Sequence, residues 1–224
     1  MKSVLFLFCL YSIIGYSQSS DAFIDDRDGK IYKTIKIGTQ NWMSENLNSS
    51  KFRNGDRINE AKTTEEWISA CKNKQPAWCY YDNDESNGTY YGKLYNWYAV
   101  NDSRGLAPKG WHIPNNKEWI ILENQLGGES YAGKKMKTQS GYKWDGNGSN
   151  SSGFTALPSG ERTSFGLFMS KNANSYWWCS DSPIVYHRFV SYFGDNCFTG
   201  VIASDLESNE KNKWSGYSVR CIKD

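Results

Sequence analysis

The run LAPKGWHIPNNKEWIILENQLGG, residues 106–128, contains the clearest local signals of structure in this 224-residue chain. Asn115 and Glu118 have the spacing of a capping box, in which two side chains satisfy backbone N–H groups at the start of a helix. Gly127 and Gly128 follow the last apolar residue, where helices commonly stop. The run therefore predicts a helix over residues 116–126 whose apolar side packs against the rest of the fold.

The segments before this run predict a hairpin and a second helix. Residues 31–37 alternate as a strand does, and the turn after them leads into a second short strand at residues 41–43. Thr63 and Glu66 have the spacing of another capping box, which predicts a helix that ends before Asn73.

The remaining segments predict loops and strands. Residues 82–88 are rich in Asp and Asn and predict a polar loop. From Gly141 onward, short aromatic runs alternate with Gly, Ser and Asn turns, which indicates strands joined by long loops.

The composition bounds the functions that this chain can have. It contains 26 Lys and Arg against 24 Asp and Glu, a formal net charge of +2, and no basic stripe. This balance excludes nucleic-acid binding that depends on a global positive field. An aromatic content of 16% can build a sizeable core, so one folded domain is the expectation at this length.

The first residues predict export. Lys2 precedes an apolar run at residues 4–14, and small residues follow, so we expect a signal peptide over residues 1–17. A short segment, residues 18–25, then leads into a single domain, residues 26–224. No later apolar run has membrane-spanning length, so we expect a secreted or cell-surface protein without a transmembrane segment.

Export bears on the cysteines because thiols outside the cytosol usually form disulfides. Five cysteines follow the expected signal peptide, so at least one has no partner within the chain. Cys179 and Cys197 lie in two aromatic, strand-like runs, and we expect them to pair. The partners of Cys71, Cys79 and Cys221 stay open. No C-x-x-C pair is present, so the spacing does not indicate zinc.

Seven runs, taken together, resemble the Fibrobacter succinogenes major paralogous domain, a family of exported bacterial modules. They are DGxIYKTxKIG (28–38), QNWMxENL (40–47), YGKLYNWYAV (91–100), LAPKGWHIP (106–114), EW (118–119), SGFxALP (152–158) and GYSVRC (216–221). The family is similar to the formylglycine-generating enzyme and C-type lectin-like group. The resemblance therefore implies an irregular fold of the α+β class, C-type lectin-like or sulfatase-modifying-factor-like, with about two main helices, short antiparallel strands and long loops.

The residues do not assemble a recognisable catalytic set. A formylglycine-type oxidase needs two closely spaced reactive cysteines, whereas Cys179 and Cys197 lie far apart in the sequence. Nucleophilic catalysis needs a histidine base, and the sequence ties neither His112 nor His187 to a nucleophile. We therefore expect a non-catalytic binding or display module without a cofactor. The alternatives are a redox or formylglycine-type enzyme using a free cysteine and a structural component of the envelope.

Two groups of side chains are candidates for ligand binding. Trp144, Trp177 and Trp178 are aromatics that could stack on sugar rings, so a glycan or a surface protein is the expected partner. Asp82 and Asp84 offer oxygen ligands for calcium, although the spacing departs from an EF-hand loop and favours a solvated turn. The tryptophans in the family runs are instead expected to form core: Trp42, Trp97, Trp111 and Trp119.

Overall fold

The computed structural model describes residues 21–139, 144, 148–182, 185–191, 194–201 and 211–224. The expected signal peptide lies outside these residues. Within them, helices and three sheets rich in antiparallel pairs form a mixed α and β fold. In the same residues, no helix is both long enough and apolar enough to span a bilayer.

The elements are short, and their bounds in chain order are as follows. The strands are β1 (Ala22–Ile24), β2 (Ile31–Ile37), β3 (Gln40–Met43), β4 (Asn59–Glu60), β5 (Ala77–Cys79), β6 (Leu94–Tyr95), β7 (Trp111–His112), β8 (Ser159–Arg162), β9 (Phe168–Lys171), β10 (Asn174–Trp178), β11 (Tyr186–Ser191), β12 (Cys197–Val201) and β13 (Ile222–Lys223). The helices are α1 (Thr64–Lys72), α2 (Glu85–Tyr91), α3 (Trp97–Val100), α4 (Asn116–Gln125) and α5 (Glu129–Met136), with a 3₁₀ turn at Tyr81–Asn83.

The first sheet joins the two ends of the domain. Its order is β1-β2-β3-β13-β7, and Ile222 in the C-terminal strand pairs with both Trp42 and His112. The predicted β2–β3 hairpin is confirmed, with Ile35 opposite Trp42. β1, which comes from the segment expected to precede the domain, adds an edge strand through Phe23 and Tyr32.

The second sheet corrects the expected disulfide. Its order is β12-β11-β10-β8-β9, so β11 lies between the strand that precedes Cys179 and the strand that begins at Cys197. Strands two positions apart are about 10 Å from each other, which exceeds the Cα separation that a disulfide tolerates. The strand-like runs were predicted correctly, but the pairing was wrong: both cysteines are free thiols.

The helices confirm two predictions and overturn another. Both capping boxes are present, at Thr63 with Glu66 and at Asn115 with Glu118. The predicted polar loop at residues 82–88 is wrong, because most of it belongs to α2. The described residues contain five α-helices instead of about two. The additional ones are short and packed against the sheets, so tertiary contacts stabilise them more than local propensity does.

The tryptophans form the core, including those expected on the surface. Trp42, Trp97, Trp111 and Trp119 are buried, as predicted. Trp177 and Trp178 are fully buried, and Trp144 is 1% exposed, so these three rings cannot stack on a ligand. Neighbouring strand residues point to opposite faces, and both faces of β10 are covered. Trp177 packs beside Trp119 and Phe154, whereas Trp178 packs beside Trp97 and Tyr217.

Buried arginines hold the irregular segments together. Arg162, Arg188 and Arg220 are each at most 1% exposed. Short strands leave many carbonyl groups without a ladder partner, and one guanidinium offers five donors in a fixed geometry. Arg162 illustrates the use of these donors, because it donates to the carbonyls of Ala61 (2.8 Å), Thr63 (2.8 Å) and Gly166 (3.1 Å).

Candidate functional site

A groove of about 360 Å³ opens between the start of β2, the segment after β3, α2 and the chain that follows α5. Its volume lies within the range of small-ligand sites. We call it the central groove. It is lined by Lys30, Lys33, Glu45, Asn46, Gly88, Thr89, Tyr90, Gly92, Thr138, Thr155 and Leu157.

The central groove brings together residues from four separate family runs. Lys33 belongs to the run at 28–38, Glu45 and Asn46 to the run at 40–47, Gly92 to the run at 91–100 and Leu157 to the run at 152–158. The runs at 28–38 and 40–47 are neighbours in one hairpin, whereas the runs at 91–100 and 152–158 are distant in sequence and meet them only through the fold. The resemblance therefore covers this surface as well as the core.

A glycine sets the shape of one wall. Gly92 ends α2 with φ at +72°, a left-handed conformation that a residue with a side chain rarely adopts. A Cβ at this position would lie 2.7 Å from the Leu47 carbonyl oxygen. Without a side chain at Gly92, the end of α2 packs closely against the segment after β3, and Asn46 on the floor and the exposed Tyr90 on the rim both line the groove.

Asn46 anchors the floor of the groove. Its Nδ2 donates to the Tyr91 carbonyl (2.9 Å) and to Ser218 Oγ (3.2 Å). Its Oδ1 accepts from Trp177 Nε1 (2.9 Å) and from both Nε (3.0 Å) and Nη2 (2.7 Å) of Arg220. The amide is thus fixed on both sides, and it joins the groove to the buried guanidinium beneath it.

The groove wall is polar, charged and partly aromatic. Lys33 is exposed, and Lys30 and Glu45 are half-buried. Tyr90 is 58% exposed, which leaves much of its ring open to solvent at the rim. Thr138 is buried, and its Oγ1 makes no hydrogen bond to a described residue. Such a lining suits a small polar ligand with one face that can contact an aromatic ring.

The two calcium candidates lie at the start of α2. Asp84 is the N-cap of this helix, and its Oδ1 accepts from the Ser86 N–H at 2.9 Å. That hydrogen bond lowers the pKa of the exposed Asp84 carboxyl. Asp82 is exposed and has a left-handed backbone conformation, with φ at 55°. In the parts of the chain that the structure describes, no three His, Cys, Asp or Glu side chains form a metal-binding group.

The five thiols after the expected signal peptide are buried, and burial disfavours the thiolate form in which a cysteine reacts. Cys71, Cys79, Cys179, Cys197 and Cys221 are all free and buried. Burial disfavours the charged thiolate and raises the pKa of Cys71, Cys79 and Cys221 to about 12 each. It also raises the pKa of Cys179 and Cys197. The thiolate needed for nucleophilic or redox chemistry is therefore scarce at neutral pH.

His112 is held between two carboxylates, a contact that the sequence did not reveal. Its Nδ1 lies 2.7 Å from Asp224 Oδ1, and its Nε2 lies 2.8 Å from Glu118 Oε1. The pKa of His112 is raised: desolvation lowers it, but the hydrogen bonds to Glu118 and Asp224 outweigh that effect. Both ring nitrogens are occupied, so the residue links β7, α4 and the C-terminus and has no nitrogen free to act as a base.

His187 has a different environment. It is packed against the Tyr217 ring, with centroids 4.9 Å apart. Burial, followed by the nearby Arg188 charge, lowers the pKa of His187 to about 4. The imidazole is therefore neutral at physiological pH, and it contributes a ring contact to the second sheet.

Comparison with known proteins agrees with the sequence runs. The model of the Fibrobacter succinogenes major domain matches residues 35–223, which is more than half of the chain. Searches of curated proteins and of solved structures gave no match. The match includes the groove residues from Glu45 to Leu157 but begins after Lys30 and Lys33, and it includes the adjacent strands β3 and β13 of the first sheet. The chain therefore belongs to the Fibrobacter succinogenes major domain family.

Proposed function

We propose that this protein is an exported, non-catalytic binding module that holds its ligand in the central groove. The observation that carries the proposal is the meeting of four family runs at one polar groove with an aromatic rim. A glycan or a cell-surface protein is the partner class that fits, because Tyr90 offers a ring face and the threonines and lysines offer hydrogen bonds and charge. The expected signal peptide supports export to the cell surface or the medium.

The same proposal includes the finer fold assignment. We propose that the domain is a variant of the C-type lectin-like and formylglycine-generating group. Its support is the irregular character of the chain: strands of two to seven residues and long connecting segments held by buried side chains. In folds of this kind, ligands bind to loops that a rigid core holds in position. The segment after β3, with Asn46 fixed from both sides, is such a loop.

The alternative of a redox or formylglycine-type enzyme would need a thiolate that can reach a substrate. The five thiols are buried, and the raised pKa of each opposes formation of the thiolate. The second alternative, a structural component of the envelope, would predict that the protein co-purifies with a large assembly and retains no small ligand.

A retention assay tests the proposal. The purified chain would be applied to an array of bacterial and plant glycans and, in parallel, to immobilised surface proteins of its own host. The proposal predicts selective and saturable retention by one class of ligand. Absence of retention on both arrays, or catalytic turnover that is abolished by thiol alkylation, would contradict it.

A further inference from the structure

The charges around the central groove are unbalanced. Among the described residues that line the groove, Lys30 and Lys33 carry positive charges and Glu45 is the one carboxylate. Lys33 forms no side-chain hydrogen bond or ion pair to a described residue. An exposed ammonium without a partner costs little in water, but it is available to an anionic ligand.

A third positive charge lies beneath the floor. Arg220 is 1% exposed and contacts no carboxylate of the described residues at ion-pair distance. Its guanidinium donates to Asn46 Oδ1 and to the carbonyls of Met43 (3.3 Å) and Phe154 (2.5 Å). Burial lowers the pKa of Arg220 to about 9, and the charge that most strongly opposes this lowering is that of Glu45, in the groove wall. A buried charge without an ion pair produces a field that water screens weakly.

A second ammonium, that of Lys93, acts on the charge of Lys30, and Asp28, Glu60 and Glu85 partly offset its positive charge. Lys93 is buried under the Trp78 and Tyr80 rings, with its Nζ 4.3 Å and 4.6 Å from their centroids. Burial, together with the charge of Lys30, lowers the pKa of Lys93 to about 8. Three acceptors hold this ammonium: the carbonyl and Oδ1 of Asn48 and the Tyr80 hydroxyl. Asn48 in turn donates to the carbonyl of Gly88, which lines the groove.

The other lining groups can contact a sugar ring and its hydroxyl groups. Thr89 and Thr155 add hydroxyl groups to the wall, and Thr138 Oγ1 has no hydrogen-bond partner among the described residues. Tyr90 lies at the rim with more than half of its side chain exposed. An aromatic face beside several hydroxyl and ammonium groups is the arrangement that binds a sugar ring together with a charged substituent.

We propose that the central groove binds an acidic glycan, a sugar that carries a carboxylate, with Lys33 and Lys30 contacting the carboxylate and Tyr90 contacting the ring. This inference rests on the proposed binding function of the groove and narrows its ligand class. Arg220 strengthens the attraction from beneath the floor as a positioning charge and does not touch the ligand.

The test compares tetragalacturonate with its methyl ester by isothermal titration calorimetry, because the ester keeps the sugar chain and removes the charges. We expect the acid to bind about tenfold or more tightly than the ester, and to lose affinity at high salt. Lys33→Met should weaken acid binding about fivefold or more, since it removes a charge-assisted contact. Lys36→Met is the matched control: Lys36 is exposed on the same strand but does not line the groove, and its variant should bind within about twofold of the unmodified chain.

The outcomes separate this inference from the proposed function. Equal binding of acid and ester, both weakened by Tyr90→Ala, would overturn the acidic-glycan inference and keep the groove as a binding site. Equal effects of Lys33→Met and Lys36→Met would overturn the inference by placing the charge recognition elsewhere. A tetraglutamate peptide that binds as tightly as tetragalacturonate would overturn the assignment to a sugar.

Discussion

Arg162 gives the sharpest prediction about what stabilises this fold. Arg162→Met keeps the aliphatic stem but removes the guanidinium, which lies over the Trp67 and Phe168 rings and donates three hydrogen bonds to carbonyls. The Ala61 carbonyl has Arg162 as its donor among the described residues, and its loss costs about 2 kcal/mol of stability. The carbonyls of Thr63 and Gly166 each lose one of two donors, which costs about 0.5–1 kcal/mol each. Relief from burying a charge offsets part of this cost. The free energy of unfolding should therefore fall by about 3 kcal/mol.

The assay is urea unfolding followed by tryptophan fluorescence and circular dichroism. Arg104→Met is the control, because Arg104 forms ion pairs with Asp56 and Asp102 but is 37% exposed. Exposed pairs of this kind contribute about 1 kcal/mol or less. The reasoning is refuted if the two variants lose similar stability, or if Arg162→Met unfolds at the same urea concentration as the unmodified chain.

Three further predictions concern single groups. His112→Gln should destabilise the chain more at about pH 5.5 than at about pH 8.5, as measured by urea unfolding. The pKa of His112 is raised in the folded chain, so its stabilising contribution is fully present below the pKa of the unfolded chain and is lost as pH rises through the pKa of the folded chain. Equal losses of stability at both pH values would contradict this. At 39% side-chain exposure the difference should be about 1 kcal/mol or less. Gly133→Ala should lower the melting temperature, although alanine favours helices, because the added Cβ would collide with the Asn196 carbonyl. Gly194→Ala is the control that should be tolerated, because its Cβ would have no neighbour closer than 3.9 Å. Equal melting temperatures of the two variants would refute the predicted collision. The five thiols should resist a thiol reagent in the native protein and react once it is unfolded; rapid modification of the native protein would revive the enzyme alternative.

Local signals in the sequence predicted local structure well. Both capping boxes and the β2–β3 hairpin depend on residues within a few positions of each other, and each is present. The burial of the four tryptophans in the family runs was also predicted correctly. α2 was missed because its first residues are polar and turn-forming, and Asp84, which looked like a metal ligand, is its N-cap.

Long-range relations could not be read in the same way. An exposed Trp and a buried Trp look alike in an aromatic run, and the burial of Trp177 and Trp178 depends on packing against both faces of β10. The prediction that Cys179 pairs with Cys197 was wrong because the sequence does not show that β11 lies between β10 and β12 in the sheet. The central groove was missed for the same reason: its residues come from distant runs, and the one available signal was that Glu45 is an acidic residue inside an otherwise core-forming run.

The most direct test of the central claim compares two exposed tyrosines on the same ligand arrays. Tyr90, at the groove's rim, is 58% exposed, and Tyr131, on α5 and outside the groove lining, is 62% exposed. If the central groove is the binding site, Tyr90→Ala should reduce ligand retention about fivefold or more, since an aromatic contact contributes about 1 kcal/mol or more. Tyr131→Ala should retain the ligand as the unmodified chain does. Equal retention by the two variants, with both folded, would contradict the claim that the groove binds the ligand.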